Sequence, residues 1–159
     1  MRQEQTIAIP TYWHSIRTST GTNGISSQMI DDSMTVLNDA FSPSGFSFTL
    51  LETTESDNDQ WYFGPSFGTQ AEFEMKSTLR QGDATALNIY STGIDQASGI
   101  LGYAQFPWDY ASNPELDGVV IGTETAPGGA TFPFNEGDTL THEVGHWLGL
   151  YHVFQDGCL

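Results

Sequence analysis

The feature that most constrains the fold of this chain is the run HEVGHWLGLYH, which extends from His142 to His152. Its first two histidines are four residues apart, so on an α-helix they lie about 40° apart around the axis and face the same side. His152 is ten residues from His142, about 1000° around that axis, and would face elsewhere if the helix continued. We therefore predict that the helix ends at Gly149, because glycine readily adopts the left-handed conformation of a helix stop.

This spacing predicts a catalytic metal centre. Three neutral imidazoles bind zinc at about 2.0–2.1 Å and leave the fourth tetrahedral position open for water, which distinguishes catalytic from structural zinc sites. We predict that His142, His146 and His152 bind one zinc ion. Glu143 lies about 100° around the helix from His142, where its carboxylate can reach a water on the metal and act as general base. A structural zinc site does not require such a glutamate.

The motif H-E-x-x-H-x-x-G-x-x-H resembles the signature of the metzincin metallopeptidases. The residues around it, and further blocks in the same order along the chain, are similar to the pappalysin family: Thr11–His14, Val36–Phe41, Leu87–Tyr90, Leu101–Ala104 and Leu116–Val120. The resemblance covers essentially the whole chain. It implies a secreted metalloendopeptidase that hydrolyses peptide bonds of extracellular proteins, with Glu143 activating the zinc-bound water.

Hydrophobic patterning predicts the secondary structure. Strands are expected at 6–16, 46–50, 86–90, 101–107 and 118–122. Helices are expected after a cap at 26–28, with apolar positions from Ile30 to Phe41, over 70–80, and in the motif. No element is predicted in 55–68, and His14 is expected to serve packing. The alternation of strands and helices favours parallel neighbours. We predict an α/β (α+β, metzincin-like) domain: a mixed, twisted five-stranded sheet with an antiparallel edge strand, two long helices on one face, and the zinc helix below the edge strand.

The edge strand is the expected substrate-binding element. Pro107 bars the short strand that precedes it from a central position in the sheet. An extended peptide can pair with such an edge through backbone hydrogen bonds. We predict that a protein or peptide substrate pairs with the backbone of Gly102, Tyr103 and Ala104.

The resemblance also bears on the extent of the domain. The family's pattern continues past the third histidine into a region with calcium, a disulfide, and a turn whose methionine lies beneath the zinc. We therefore expect residues 1–159 to be the N-terminal part of a single metallopeptidase catalytic domain, without signal peptide or pro-segment. Cys158 is expected to form a disulfide with a cysteine absent from the chain. Calcium is possible, although the Asp57–Asp59 cluster lacks the pattern of an EF-hand loop.

Charge excludes several function classes. The chain has 4 Lys+Arg against 20 Asp+Glu, a formal net charge of −16, which repels phosphate backbones and anionic lipid headgroups. We expect no nucleic-acid or membrane partner and a monomer. Two alternatives differ in class from a peptidase: a truncated zinc-binding domain without activity, and an acidic extracellular binding module with a vestigial motif. The presence of Glu143 argues against both.

Overall fold

The computed structural model describes residues 6–94 and 99–155. The strands are β1 (Ile7–Arg17), β2 (Phe46–Asp57), β3 (Leu87–Thr92), β4 (Gly102–Ala104) and β5 (Val119–Gly122). The α-helices are α1 (Ser27–Phe41), α2 (Asp59–Phe63), α3 (Gln70–Leu79) and α4 (Asp138–Trp147). Short 3₁₀ turns at 42–44, 107–109, 114–116 and 123–125 complete the connections. Within the described ranges, no helix is long and apolar enough to cross a membrane.

The strands form one five-stranded sheet in the order β2-β1-β3-β5-β4. Neighbouring strands are parallel except β4, which runs antiparallel to β5 at one edge. Every residue of β3 and β5 is buried, as expected for central parallel strands covered on both faces. The predicted fold class, a mixed five-stranded sheet with an antiparallel edge strand, is confirmed.

Helices cover both faces of the sheet. Alternate residues of each strand enter opposite cores, so the neighbours Ile89 and Tyr90 belong to different clusters. Helices α1 and α4 pack on one face, with buried side chains from Leu37, Leu140 and Val144. Helices α2 and α3 pack on the other face. The prediction that both long helices share one face is therefore wrong.

Connection handedness explains this difference. The chain moves from β1 outward to β2 through α1, and then returns across β1 to β3 through α2 and α3. Crossovers between parallel strands are right-handed in almost all proteins. Two right-handed connections that run in opposite directions across a sheet must lie on opposite faces. Helix α3 therefore cannot lie on the same face as α1.

The sequence pattern assigns no element to residues 55–68, whereas the structure has the end of β2 and the whole of α2 there. Strand β2 continues to Asp57, whose carboxylate accepts a hydrogen bond from Arg17 Nε at 2.7 Å. The Asn58 side chain then accepts the backbone N–H groups of Gln60 and Trp61 and caps α2. The cap residue was visible in the sequence, but a helix of five residues carries too little periodicity to be recognised.

Candidate metal centre

The motif helix α4 begins at Asp138 and ends at Trp147. Its N-cap is Gly137, with no side-chain cap, although the sequence suggests Asp138 or Thr139 for that role. At its other end, the Gly149 N–H donates to the His146 carbonyl at 2.8 Å, and the Leu150 N–H donates to the Gly145 carbonyl at 2.9 Å. This pair of bonds is the Schellman motif, and Gly149 has the left-handed φ of 96° that it requires. The chain therefore turns back toward the helix at the position that the spacing indicates.

This turn brings the three histidines of the motif together. The Nε2 atoms of His142 and His146 are 3.0 Å apart, and each lies 3.1 Å from His152 Nε2. Tetrahedral ligands at 2.0–2.1 Å from one ion would be about 3.3 Å apart, so the triangle is close to the size that zinc requires. Among the residues that the structure describes, this is the group of histidine, cysteine and acidic side chains that could hold a metal ion.

The protonation state of the rings also fits metal binding. His146 Nδ1 lies 2.7 Å from the Leu150 carbonyl oxygen, which can only accept a hydrogen bond. Nδ1 therefore carries the proton and Nε2 presents a lone pair toward the other two rings. Burial, and then the proximity of His146 and His152, lower the pKa of His142 and favour its neutral form. Neutral imidazole is the form that coordinates zinc.

Glu143 lies beneath the edge strand, next to Gly102. It is 7% exposed and has no hydrogen bond or ion pair among the described residues. Burial raises its pKa to about 7. A Cβ atom at Gly102 would lie 2.9 Å from Glu143 Cγ, so the helix approaches β4 as closely as a glycine permits. Gly102 and Glu143, which the sequence predicts as substrate-binding residue and general base, are in direct contact.

Strand β4 pairs with β5 on one side, with Tyr103 opposite Val120, and is the last strand of the sheet on the other. Its outer edge carries backbone groups of the kind that an extended peptide can pair with. The Tyr103 side chain packs in the cluster on the opposite face, against Val120 and Tyr90. The backbone of Tyr103 is therefore available on the side of the histidines, whereas its ring lies on the opposite face of the sheet.

Two sets of contacts around the centre escaped the sequence reasoning. Aromatic rings surround the histidines: Phe106 lies 5.4 Å from His146 and stacks on Trp108 at 4.6 Å. The end of α4 is anchored where Trp147 Nε1 donates to Asp117 Oδ1 at 2.9 Å. Trp147 lies in the motif and Asp117 in a block chosen for its resemblance, but no sequence signal pairs residues 30 positions apart.

An apolar cavity of about 390 Å³ lies beside the histidines. Its wall includes Phe41, Gly145 and Leu150 together with the residues that follow His152. Leu150, Val153 and Phe154 are largely exposed there. The metal centre thus has one polar side beneath β4 and one apolar side that the described residues leave open to solvent.

Two predictions find no support at this stage. Cys158 lies outside the described residues, and it is the one cysteine of the sequence, so a disulfide is not supported. Calcium binding stays a prediction, since the described part of the chain groups no set of carboxylates comparable with the histidine cluster. Asp57 and Asp59 instead bond to Arg17 and Ser19.

Residues 84–159 match the family model Peptidase M43, described as pregnancy-associated plasma protein-A. The chain is 42% identical over 158 residues to an extracellular metalloprotease of Colletotrichum graminicola, covering 96% of this chain and 54% of that protein. It is 40% identical over 157 residues to extracellular metalloprotease 1 of Coccidioides posadasii, with coverage of 96% and 54%. The chain therefore spans about half the length of these relatives.

Solved structures show the same relationship. Tannerella forsythia mature mirolysin, in complex with a cleaved peptide, superposes with a TM-score of 0.73 at 28% identity, covering 96% of this chain and 66% of that one. Mirolysin in complex with compound 9 superposes with a TM-score of 0.76 at 26% identity and the same coverage.

Proposed function

The chain belongs to the pappalysin family of metzincin metallopeptidases, and we propose that it supplies the metal ligands and the general base of a zinc-dependent endopeptidase. One observation carries the proposal. Three imidazole Nε2 atoms converge on one point, and the next residue in the helix, Glu143, is a buried carboxylate with no partner in the described chain. A carboxylate buried without a partner is costly, and such groups concentrate at catalytic sites.

His142, His146 and His152 would hold the zinc. When bound, zinc polarises the scissile carbonyl and lowers the pKa of a water molecule toward about 7. Glu143 accepts a proton from the attacking water at its carboxylate and delivers it to the nitrogen of the leaving amine. In the zinc-free chain, burial raises the pKa of this carboxyl group to about 7, which favours uptake of the proton from water.

Strand β4 would orient the substrate. A peptide paired with the backbone of Gly102–Ala104 would run antiparallel or parallel to β4 with its scissile bond held above α4. Gly102 has no side chain and Ala104 has only a methyl group, so neither residue blocks this edge. The contact between Gly102 and Glu143 fixes the distance between the strand and the base. Pairing through backbone atoms binds peptides of many sequences.

We also propose that the protein acts outside the cell on protein or peptide substrates, as a monomer with no nucleic-acid or membrane partner. The relatives at 42% and 40% identity are named extracellular metalloproteases. We further propose that the catalytic domain continues beyond residues 1–159 and closes the apolar cavity beside the histidines. Support comes from the exposure of Leu150, Val153 and Phe154 at that cavity, since exposed apolar patches usually mark contact surfaces.

A peptidase assay tests this function. Two proteins are incubated with an internally quenched peptide, with and without a metal chelator. One is this chain, and the other is the same sequence extended to the full length of its relatives. We expect cleavage that the chelator abolishes and stoichiometric zinc restores. A full-length protein that binds zinc and cleaves nothing would instead identify a zinc-binding domain. One that neither binds zinc nor cleaves would identify a binding module.

A further inference from the structure

The C-terminal end of helix α4 has two tasks in the proposed metal centre. It carries His146, and the chain leaves it through Gly149 to bring His152 back to the other two histidines. Trp147 is the last residue of the helix, and its side chain lies in the core between α4 and the sheet, 8% exposed. A shift of this helix end would therefore move two of the three nitrogen ligands.

The indole of Trp147 is bonded to a buried carboxylate. Its Nε1 donates to Asp117 Oδ1 at 2.9 Å, and Asp117 is 3% exposed just before the start of β5. A hydrogen bond to an ionised acceptor is about twice as strong as one between neutral groups. For comparison, Nε1 of the buried Trp13 donates to the neutral hydroxyl of Ser91 at 3.1 Å. The helix end that carries the ligand therefore has the stronger kind of anchor.

Asp117 is itself held from the opposite face of the sheet. Its Oδ2 lies 3.3 Å from Arg80 Nη2 at the end of α3, and the carbonyl of the preceding Leu116 accepts from Lys76 Nζ at 2.8 Å. The chain has only 4 Lys+Arg against 20 Asp+Glu, and two of those four cations bind this two-residue segment. A buried carboxylate that is paired in this way is fixed by its partners. The anchor of α4 is therefore a fixed point of the fold.

We propose that Asp117 is a positioning residue of the metal centre and that it acts through Trp147. The carboxylate fixes the end of α4, so that His146 and the turn to His152 keep the positions in which their Nε2 atoms converge. Ligands that are already in place bind a metal more tightly than ligands that must first be ordered. This inference rests on the proposed zinc site, and it adds a residue from another part of the chain on which the affinity of that site depends.

Two matched tryptophan variants separate this role from a general effect on stability. Trp147→Phe and Trp13→Phe each keep an aromatic ring and delete one indole N–H bond, and both rings belong to the same core cluster. Zinc affinity is measured on the folded 159-residue chain by competition with a chromophoric chelator. We expect Trp147→Phe to raise the Kd for zinc about 10–100-fold and Trp13→Phe to leave it unchanged. An unchanged Kd in Trp147→Phe, or equal weakening in both variants, overturns the proposal.

The acceptor side of the bond is tested by rescue. Asp117→Asn keeps an oxygen that can accept the Trp147 N–H, whereas Asp117→Leu has a similar size and no acceptor. We expect zinc binding close to that of the parent in Asp117→Asn and weakening by about 10–100-fold in Asp117→Leu. The double variant Trp147→Phe/Asp117→Leu should bind zinc about as weakly as either single variant, because both residues act through one bond. Fully additive losses would mean that the two residues act independently, and would overturn the proposal. Trp147→Phe leaves the pair of Asp117 with Arg80 intact, so the first test does not depend on the folding of Asp117→Leu.

Hydrogen exchange of the zinc-free protein gives a readout that needs neither metal nor activity. The amides of Gly149 and Leu150 close the turn after α4, through bonds of 2.8 and 2.9 Å. We expect these two amides to exchange at least about tenfold faster in Trp147→Phe, with no such change in Trp13→Phe. Parent rates at both amides in Trp147→Phe would overturn the proposal. A parent chain that binds no zinc would overturn the proposed function and this role with it, whereas a zinc-binding parent with unaffected variants would overturn this role alone.

Discussion

Helices α3 and α4 pack on opposite faces of the sheet, and each buries one glutamate. Glu72 of α3 is 1% exposed; its Oε1 lies 2.8 Å from Nζ of the buried Lys76, and its Oε2 accepts the Gly68 N–H at 2.7 Å. Glu143 of α4 is buried almost as deeply, at 7% exposure, without any cation or donor in the described chain.

We interpret this difference as that between a structural carboxylate and the proposed general base. Lys76 also donates to the Leu116 carbonyl at 2.8 Å and lies over the Tyr103 ring at 5.3 Å, so the Glu72 pair connects α3 to strand β4. A buried charge that is paired in this way is held in place by its partners. Glu143 has no such compensation, and burial alone raises its pKa to about 7. One helix thus supports the edge strand from behind, and the other presents a proton acceptor beneath it.

The largest expected effect comes from Glu143→Gln. The amide keeps the shape of the side chain but cannot accept the proton, so peptide cleavage should fall by about 10²–10⁴-fold. Zinc content, measured by metal analysis, should not change, because Glu143 is not one of the converging nitrogen ligands. Cleavage at the parent rate in a zinc-loaded variant would show that another group is the base.

The same substitution at Glu72 should affect stability instead. Glu72→Gln removes the ion-pair partner of the buried Lys76 ammonium and leaves it with the weaker influence of the Asp117 carboxylate, which should lower the free energy of unfolding by about 3–5 kcal/mol. Urea unfolding of the zinc-free protein measures this change. The double variant Glu72→Gln/Lys76→Met removes both charges and should recover most of the loss. If Glu72→Gln is as stable as the parent and the double variant is not better, the ion pair does not support the fold.

A smaller effect of opposite sign is expected for Glu143 in the zinc-free protein. Its folded pKa of about 7 exceeds the ordinary value of 4.5, so the folded state retains a proton that the unfolded state releases. The contribution of Glu143 to the free energy of unfolding is fully present below pH 4.5 and is lost as pH rises through about 7. Glu143→Gln should therefore unfold with a free energy about 2–3 kcal/mol higher than the parent at pH 8, with no difference at pH 4. If Glu143→Gln is less stable than the parent at pH 8, the Glu143 carboxylate must have a stabilising partner in the folded chain, which contradicts this account.

The local geometry of the motif could be predicted from the sequence better than the contacts that surround it. His142, His146 and the stop at Gly149 follow from helical period and glycine chemistry, which are local properties. The buried face of α3 does not. Phe73 is exposed although it is apolar, while Lys76 is buried where both Glu72 and the distant Leu116 carbonyl bind its ammonium group. Contacts between residues far apart in the chain, including Trp147 with Asp117, have no local signal.

The central claim is that the three histidines of the motif hold one zinc ion, and X-ray absorption at the zinc edge measures this directly. The zinc-loaded chain should contain one equivalent of metal, with about three imidazole nitrogens at about 2.0–2.1 Å and one oxygen. His146→Ala should lose the metal, since two imidazoles make a poor site. A spectrum with a sulfur ligand or with oxygen ligands alone, or undiminished zinc in His146→Ala, would place the metal elsewhere and contradict the account.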